Sequence, residues 1–243
     1  MERPKRIALY GGTFDPVHVG HTSVARNLLD LFALDEVLFI PAHVAPHKRQ
    51  RRVSPAFHRY AMLALATQDE ARFRVSTIEL DAPEKPYTIE TLSRFREALK
   101  DSAQLFFVMG ADSWMDIRTW REWERVLTLV SSIVVTRPGY DVTTEHVTEA
   151  IRGLVTDVRG LKKEAVARIL DEARGERIYL TDAARVDVSA TAVRRAAQGS
   201  ETGTTTGLDA LVSPAVADYI NKYRLYREVH ETEFFDAGRE QGH

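Results

Sequence analysis

The stretch that decides the fold is Gly11-Gly12-Thr13-Phe14-Asp15-Pro16-Val17-His18-Val19-Gly20-His21. It follows an apolar run, Ile7-Ala8-Leu9-Tyr10, that is typical of a buried strand, and it precedes residues 22–34, whose apolar positions recur at helical spacing. The sequence therefore predicts a strand, a glycine turn and the first turn of a helix. At such a junction an α/β protein presents backbone N–H groups and the positive end of a helix to an anionic ligand.

The two histidines of this stretch are predicted to act together. The glycines let the backbone approach a phosphate closely, and Gly20 leaves room between the imidazoles. If the helix begins near residue 17 or 18, His18 and His21 lie three residues apart on one helical face. A glycine pair or a lone histidine usually has an ordinary structural role. The joint pattern instead indicates two imidazoles aimed at a phosphate.

Composition narrows the class of protein. The chain has 243 residues, of which 44% are hydrophobic and 28% charged, as expected for one ordinary domain with a substantial core. A net charge of -2 gives no electrostatic support for nucleic-acid binding, and the absence of cysteine excludes disulfides and thiol catalysis. Because the sequence has neither a signal-peptide pattern nor a run long enough to span a bilayer, we expect a soluble cytoplasmic protein without a membrane partner.

Apolar runs alternate with amphipathic helical patterns along the chain. The runs lie at 37–40, 75–78, 105–109, 133–135 and 178–180, and the helical patterns lie at 55–69, 88–100, 120–127 and 213–222. Most of the runs are too uniformly apolar for strands with one solvent-exposed face. The alternation therefore predicts an α/β fold with a doubly wound, mostly parallel sheet, whose ligands bind at the carboxyl ends of the strands.

We expect one domain over residues 1–226. Residues 143–175 contain two apolar stripes at helical spacing, at 147–158 and 166–173, which predict a helical insertion that serves packing or an oligomer surface. Residues 200–207, rich in Gly, Ser and Thr, predict a flexible loop, and residues 227–243 a loosely ordered polar tail. The sequence leaves assembly into a homo-oligomer open.

The opening stretch resembles the signature of nucleotidyltransferases with a His-x-Gly-His motif, and it is most similar to that of bacterial nicotinate-nucleotide adenylyltransferases. A second motif, Val188-Ser189-Ala190-Thr191-Ala192-Val193-Arg194, resembles the Ile-Ser-Ser-Thr-x-Ile-Arg of that family, with Ala190 in place of its second serine. Further family segments follow in order between the two motifs: 46–48, 87–91, 110–112, Trp120 and 137–140. The resemblance covers about residues 5–226 and implies a Rossmann-like nucleotidyltransferase fold.

The resemblance also implies a reaction. AMP moves from ATP onto nicotinate mononucleotide, which gives nicotinate adenine dinucleotide (NaAD) and pyrophosphate in NAD biosynthesis. Such a transfer needs aligned reactants with fixed donors and cations rather than a protein nucleophile. Mg²⁺ is expected to bridge the phosphate oxygens of ATP, because the sequence shows no dense group of carboxylates that would form a metal site of its own.

Site residues carry over from the family by position. The resemblance assigns catalysis to four side chains: His18, His21, Lys48 and Arg194. It assigns ATP binding to residues of both motifs: Gly11, Gly12, Thr13, Phe14, His18, His21, Ser189, Thr191 and Arg194. From the residues themselves, either Ser189 or Thr191 could cap a helix predicted at 192–198.

The resemblance assigns the acceptor nucleotide to five positions: Thr88, Asp112, Trp120, Arg121 and Arg137. In the family an aromatic residue at the position of Trp120 stacks on the pyridine ring. The hydroxyl of Thr88 and a backbone N–H near Arg121 would donate to the nicotinate carboxylate, where an amide would present an NH₂ group. Trp114 and Trp123 are predicted to be packing residues.

Four other functions stay open from the sequence. The acceptor could be nicotinamide mononucleotide or phosphopantetheine, although phosphopantetheine adenylyltransferases usually have Thr-x-Gly-His and shorter chains. The protein could also be a nucleotide-binding regulator without turnover, or residues 143–175 could give it a role in assembly.

Overall fold

A computed structural model of the chain describes residues 3–43, 53–136, 142–184, 186, 188–199 and 207–227. The strands are β1 Lys5–Gly12, β2 Glu36–Pro41, β3 Phe73–Val75, β4 Ala103–Gly110, β5 Ser131–Val135, β6 Val155–Asp157 and β7 Ile178–Thr181. The helices are α1 Val19–Leu31, α2 Ala56–Thr67, α3 Thr88–Leu99, α4 Ala111–Met115, α5 Trp123–Leu129, α6 Glu149–Arg152, α7 Lys163–Glu172, α8 Ala190–Gln198 and α9 Pro214–Lys222. Two 3₁₀ turns cover Lys100–Ser102 and Ile117–Thr119.

The strands of the described chain form one parallel sheet in the order β3-β2-β1-β4-β5-β7-β6. The chain runs outward from β1 to β3 and then returns to place β4 on the other side of β1. The winding direction therefore reverses between β1 and β4, and a parallel sheet opens a crevice at the carboxyl ends of two such strands. The glycines of the opening stretch end β1 at this point.

The core has two halves, one on each face of the sheet. Successive strand residues alternate between them, so that Ala8 and Phe106 face one side while Leu9 and Phe107 face the other. Helices α1, α2, α7, α8 and α9 cover the first face, and α3, α4, α5 and α6 cover the second. This arrangement confirms the predicted doubly wound α/β fold, and the sheet is parallel throughout.

Helix α1 begins where the glycine turn ends. His18 is its N-cap residue, and the N–H of Val19 donates to the Leu211 carbonyl at 2.9 Å. Four residues of one stripe are buried against the sheet: Val24, Ala25, Leu28 and Leu29. The helix therefore holds its N-terminus firmly at the carboxyl end of β1.

Two helices were predicted in residues 143–175, and the prediction of the first, over residues 147–158, is wrong beyond residue 152. The helix there is limited to α6, and Gly153 closes it by donating to the Glu149 carbonyl at 2.9 Å. The β-branched residues Val155 and Thr156 then extend as β6, an edge strand that pairs with β7. The second half is confirmed as α7, whose Val166 and Leu170 are buried. This segment thus widens the sheet.

Other sequence predictions have mixed outcomes. Helices α2, α3 and α9 lie within their predicted segments, whereas β3 ends at Val75, where a strand was expected to begin. Residues 200–206 of the predicted loop and residues 228–243 of the predicted tail lie outside the described ranges. In the part of the chain that is described, no helix has the length and apolar character needed to cross a membrane.

Candidate active site

Two cavities, of about 350 Å³ and 300 Å³, open where β1 and β4 end. Five residues line both cavities and form a shared wall: Gly11, Gly12, Val108, Met109 and Gly110. Each volume is in the range of small-molecule binding sites. Two ligands bound side by side would therefore meet across the glycines at the end of β1.

We call the cavity of about 300 Å³ the histidine pocket. Its remaining lining residues are Tyr10, Phe14, His18, Gly20, His21, Val24, Ala111, Asp112, Val135, Ala184, Val186 and Val188. The rings of His18 and His21 stack with their centroids 3.7 Å apart, and the Phe14 ring meets His21 edge-on at 5.0 Å. His18 is buried. Both imidazoles are thus held in fixed positions on one wall of the pocket.

The proton position on His21 follows from its backbone contact. Its Nδ1 accepts a hydrogen bond of 3.2 Å from the backbone N–H of His18. An accepting Nδ1 places the proton of the neutral ring on Nε2. His21 can therefore offer an oriented N–H donor to an anion.

Two glycines of the stretch leave the space that these rings occupy. A Cβ at Gly20 would lie 3.0 Å from the His18 Nδ1, and a Cβ at Gly12 would lie 2.9 Å from the Phe14 ring. Either substitution would force the ring to move. The expectation that Gly20 makes room for the histidines is confirmed, and the neighbour concerned is His18.

We call the cavity of about 350 Å³ the tryptophan pocket. Its remaining lining residues are Thr13, Ile40, Ala42, Glu79, Pro86, Tyr87, Thr88, Thr91, Leu92, Phe107, Ser113, Thr119, Trp120 and Arg121. Thr88 is the first residue of α3, so its hydroxyl lies near the positive end of that helix. The Arg121 guanidinium lies over the Tyr87 ring at 4.8 Å, and its Nη1 is 3.4 Å from Glu90 Oε1. The pocket thus combines an aromatic side chain, a hydroxyl and a cation.

Arg59 of α2 supports the glycine loop from behind. Its side chain is 1% exposed and donates to three backbone carbonyls, those of Thr13 at 2.7 Å, Ser54 at 3.0 Å and His43 at 3.3 Å. Burial lowers the pKa of the guanidinium, and the charges of Asp15 and Glu79 oppose that shift. Arg59 therefore joins the loop after β1 to the segments that follow β2 and precede α2.

The second motif is connected to the first. Ser189 caps α8 by accepting from the Ala192 N–H at 3.2 Å, so Ser189 is the capping hydroxyl of the two candidates. Arg194 donates to the Thr191 hydroxyl at 3.0 Å and to the backbone carbonyl of Asp15. The residues of the two motifs, far apart in sequence, thus meet at Asp15, although Ser189, Thr191 and Arg194 line neither pocket.

Known proteins share this sequence and architecture. Residues 9–196, most of the chain, match the cytidylyltransferase-like family. A protein of Thermoanaerobacter sp. (strain X514) named "Probable nicotinate-nucleotide adenylyltransferase" is 33% identical over 231 residues, which cover 95% of this chain and 99% of that protein. A relative of the same name from Symbiobacterium thermophilum is 37% identical over 91% of this chain and 95% of its own length.

The chain belongs to the nicotinate-nucleotide adenylyltransferase family. The predicted family and enzyme class are confirmed. A solved structure described as Plasmodium falciparum nicotinic acid mononucleotide adenylyltransferase complexed with NaAD matches with a TM-score of 0.66 at 19% identity, over 91% of this chain and 97% of that chain. At this identity the likeness shows the shared fold.

Most family residues predicted from the sequence lie together in the described structure. Thr88, Trp120 and Arg121 line the tryptophan pocket, and the two histidines line the other. Asp112 differs from its predicted grouping with the acceptor residues. It lines the histidine pocket, whereas the next residue of α4, Ser113, lines the tryptophan pocket.

Other predicted residues have different positions. Phe14 is 2% exposed, so its ring belongs mainly to the core. Trp114 is buried and donates to the Thr143 carbonyl at 2.9 Å, which confirms its predicted packing role. Lys48 and Arg137 lie outside the described residues.

Two charged residues at the site, the partly buried Glu79 and the buried Arg59, were not predicted from the sequence. Glu79 lines the tryptophan pocket, where burial raises the pKa of its carboxyl although the Thr91 hydroxyl donates to it at 2.8 Å. The burial of Arg59 could have been predicted from the sequence. It lies three and four residues before Met62 and Leu63, and this spacing places it on the apolar face of α2. A cation on such a face indicates buried acceptors.

Replacement of Arg59 tests whether its hydrogen bonds to the three backbone carbonyls stabilise the protein. Arg59→Leu removes a buried side chain and leaves three backbone carbonyls without their donor, so we expect the free energy of unfolding to fall by about 3 kcal/mol or more. Urea denaturation measures the change. The control is Arg94→Leu on the exposed face of α3, which we expect to change stability by about 0.5 kcal/mol at most. Equal effects of the two substitutions would contradict the assigned contacts.

Proposed function

We propose that this chain transfers AMP from MgATP onto nicotinate mononucleotide, which yields NaAD and pyrophosphate. One observation carries the proposal. Two cavities share the glycines that end β1, and stacked imidazoles line one cavity while Trp120, Thr88 and Arg121 line the other. The proposal assigns ATP to the histidine pocket and nicotinate mononucleotide to the tryptophan pocket. The family names of the relatives support the same pair of substrates.

The reaction follows from that placement. A phosphate oxygen of nicotinate mononucleotide attacks the α-phosphorus of ATP, a P–O bond forms, and the bond between the α-phosphorus and its bridging oxygen to the β-phosphorus breaks. Pyrophosphate leaves with the electron pair of that bond. The protein contributes alignment and charge neutralisation, and no side chain is used as a nucleophile.

The opening stretch supplies the donors for this step. In our proposal the Nε2–H of His21 and the ring of His18 contact the triphosphate, and the backbone N–H groups near Gly12 and Thr13 contact the transferred phosphate. The N-terminus of α1 adds its positive potential at the same place. Because these groups are already oriented, they need little reorganisation as charge develops.

The acceptor site is proposed to select a carboxylate. The pyridine ring would lie against Trp120, and its carboxylate would accept from the Thr88 hydroxyl and the backbone N–H near Arg121. The positive end of α3 and the Arg121 guanidinium favour an anion there. An amide would place its NH₂ donors against donors of the protein.

The remaining predicted roles belong to the proposal as well. Lys48 and Arg194 would neutralise the ATP phosphates, and Arg137 would contact the acceptor nucleotide. Mg²⁺ would enter as part of the substrate MgATP. We place the enzyme in the cytoplasm, where its substrate ATP is found. Assembly into a homo-oligomer stays open.

A comparison of acceptors tests the function. The protein is incubated with MgATP and, separately, with nicotinate mononucleotide, nicotinamide mononucleotide or phosphopantetheine, and pyrophosphate release is measured. We expect the highest kcat/KM with nicotinate mononucleotide, because its carboxylate meets donors that an amide cannot satisfy. Equal or better use of another acceptor would contradict the proposed specificity. ATP binding without pyrophosphate release would favour a regulator.

Removal of one imidazole tests the phosphate site. His18→Ala is expected to lower kcat by about a hundredfold or more, the size of effect seen when an oriented donor to a transition state is lost. Circular dichroism checks that folding is intact. The matched control is His58→Ala, because His58 on α2 contacts Tyr219 away from both pockets. Unchanged turnover in His18→Ala would reject the assigned role.

Removal of the aromatic wall tests the acceptor site. Trp120→Ala is expected to raise the KM for nicotinate mononucleotide by about tenfold, since loss of stacking on a heteroaromatic ring weakens binding by about that factor. The KM for ATP should change little. Trp123→Ala, at the start of α5, is the control for removal of an indole nearby. An effect confined to ATP would contradict the placement of the two substrates.

A further inference from the structure

The segment that follows α9 turns back sharply towards the opening stretch. Arg224 has φ 50° and Tyr226 has φ 69°, and both values lie in the left-handed region that side-chain-bearing residues seldom adopt. The N–H of Leu225 donates to the Ile220 carbonyl at 3.0 Å, which closes the helix end at this turn. Leu225 and Tyr226 then pack against the core on the α1 face of the sheet.

The turn brings a phenol onto a buried carboxylate. The Tyr226 hydroxyl donates to Asp15 Oδ1 at 2.8 Å, and the backbone N–H of Ser54 donates to Oδ2 at 3.3 Å. Asp15 is 7% exposed and belongs to the stretch that forms the glycine loop. Burial and the Asp15 charge raise the pKa of Tyr226, so the phenol keeps its proton and stays a donor.

The same aspartate also contacts the second motif. The backbone carbonyl of Asp15 accepts from the Arg194 guanidinium, while its carboxylate accepts from Tyr226. Asp15 is therefore the point at which the segment after α9, the glycine loop and α8 are joined. Tyr226 lines neither the histidine pocket nor the tryptophan pocket.

We propose that Tyr226 is a positioning residue for AMP transfer, which acts by holding Asp15 and thereby the guanidinium of Arg194, the cation that the proposed function assigns to the ATP phosphates. The proposal rests on the proposed function. A fixed carboxylate fixes the orientation of the Asp15 peptide, and that peptide carries the carbonyl acceptor of Arg194. Without the phenol, Asp15 keeps the donor at Oδ2 and loses the one at Oδ1. The ATP side of the site should loosen, and the tryptophan pocket should be unaffected.

Tyr226→Phe tests the positioning role, because it removes the hydroxyl and leaves the packed ring. We expect kcat/KM for ATP to fall by about tenfold, the factor that corresponds to loss of one hydrogen bond to a charged group. The KM for nicotinate mononucleotide should stay within about twofold, since no contact of the tryptophan pocket is changed. The control is Tyr223→Phe, because Tyr223 is 49% exposed at the end of α9. A Tyr226→Phe enzyme with the kinetics of the control would overturn the proposal.

A double substitution separates positioning from a merely structural role. If Tyr226 acts through Arg194, then Tyr226→Phe should cost far less activity in an Arg194→Lys background than in the wild type. The thermal unfolding temperature of each variant is measured in parallel. Additive losses of kcat/KM, or a loss that follows the folded fraction alone, would overturn the proposal.

Failure of the proposed function is recognised separately. A wild-type protein that forms no NaAD refutes the proposed function. In that case calorimetric titration with a non-hydrolysable ATP analogue replaces the kinetic assay. Weaker analogue binding by Tyr226→Phe than by Tyr223→Phe would still support the positioning role, and equal affinities would reject it.

Discussion

The structure depends on one constraint at the glycine loop between β1 and α1. The loop must stay open to two ligands, yet its backbone carbonyls at Thr13 and Asp15 are partly buried and need partners. Arg59 donates to the Thr13 carbonyl, and Arg194 donates to the Asp15 carbonyl. These cations come from α2 and α8 and line neither pocket, so the loop is held by two helices.

The sheet provides the rigid base for this arrangement. Strands β1 and β4 are buried on both faces, and the winding reversal between them creates the crevice at their carboxyl ends. The shared wall formed by the glycines of β1 and the end of β4 is thin because glycine has no side chain. Such a wall can separate two nucleotides while their phosphates approach each other, which direct transfer between them requires.

Much of the fold and part of the site could be predicted from local sequence patterns. The apolar runs, the glycine turn and the histidine spacing each lie within one strand–turn–helix unit, where neighbouring residues determine the structure. The doubly wound fold and the pairing of the two histidines could be predicted for that reason. Family motifs then predicted that Thr88, Trp120 and Arg121 share a site, and they line one pocket.

The remainder depends on contacts between distant segments. Arg59 meets a carbonyl 46 residues earlier, and Tyr226 meets a carboxylate 211 residues earlier, so neither partner is visible in local patterns. The edge strand β6 is three residues long and is defined by its pairing with β7. Its apolar residues happened to fit helical spacing as well. Asp112 lies next to the shared wall, and its neighbour Ser113 lines the other pocket. A shift of one residue along α4 therefore changes which pocket a side chain lines.

The most direct test of the two-pocket account is a binding experiment with both ligands. A non-hydrolysable ATP analogue and nicotinate mononucleotide are titrated together into the protein in a calorimeter, and NaAD is then added as competitor. The account predicts that one molecule of each ligand binds to the chain at the same time and that a single NaAD displaces both. Competition between the two ligands for one site, or displacement of only one of them by NaAD, would contradict it.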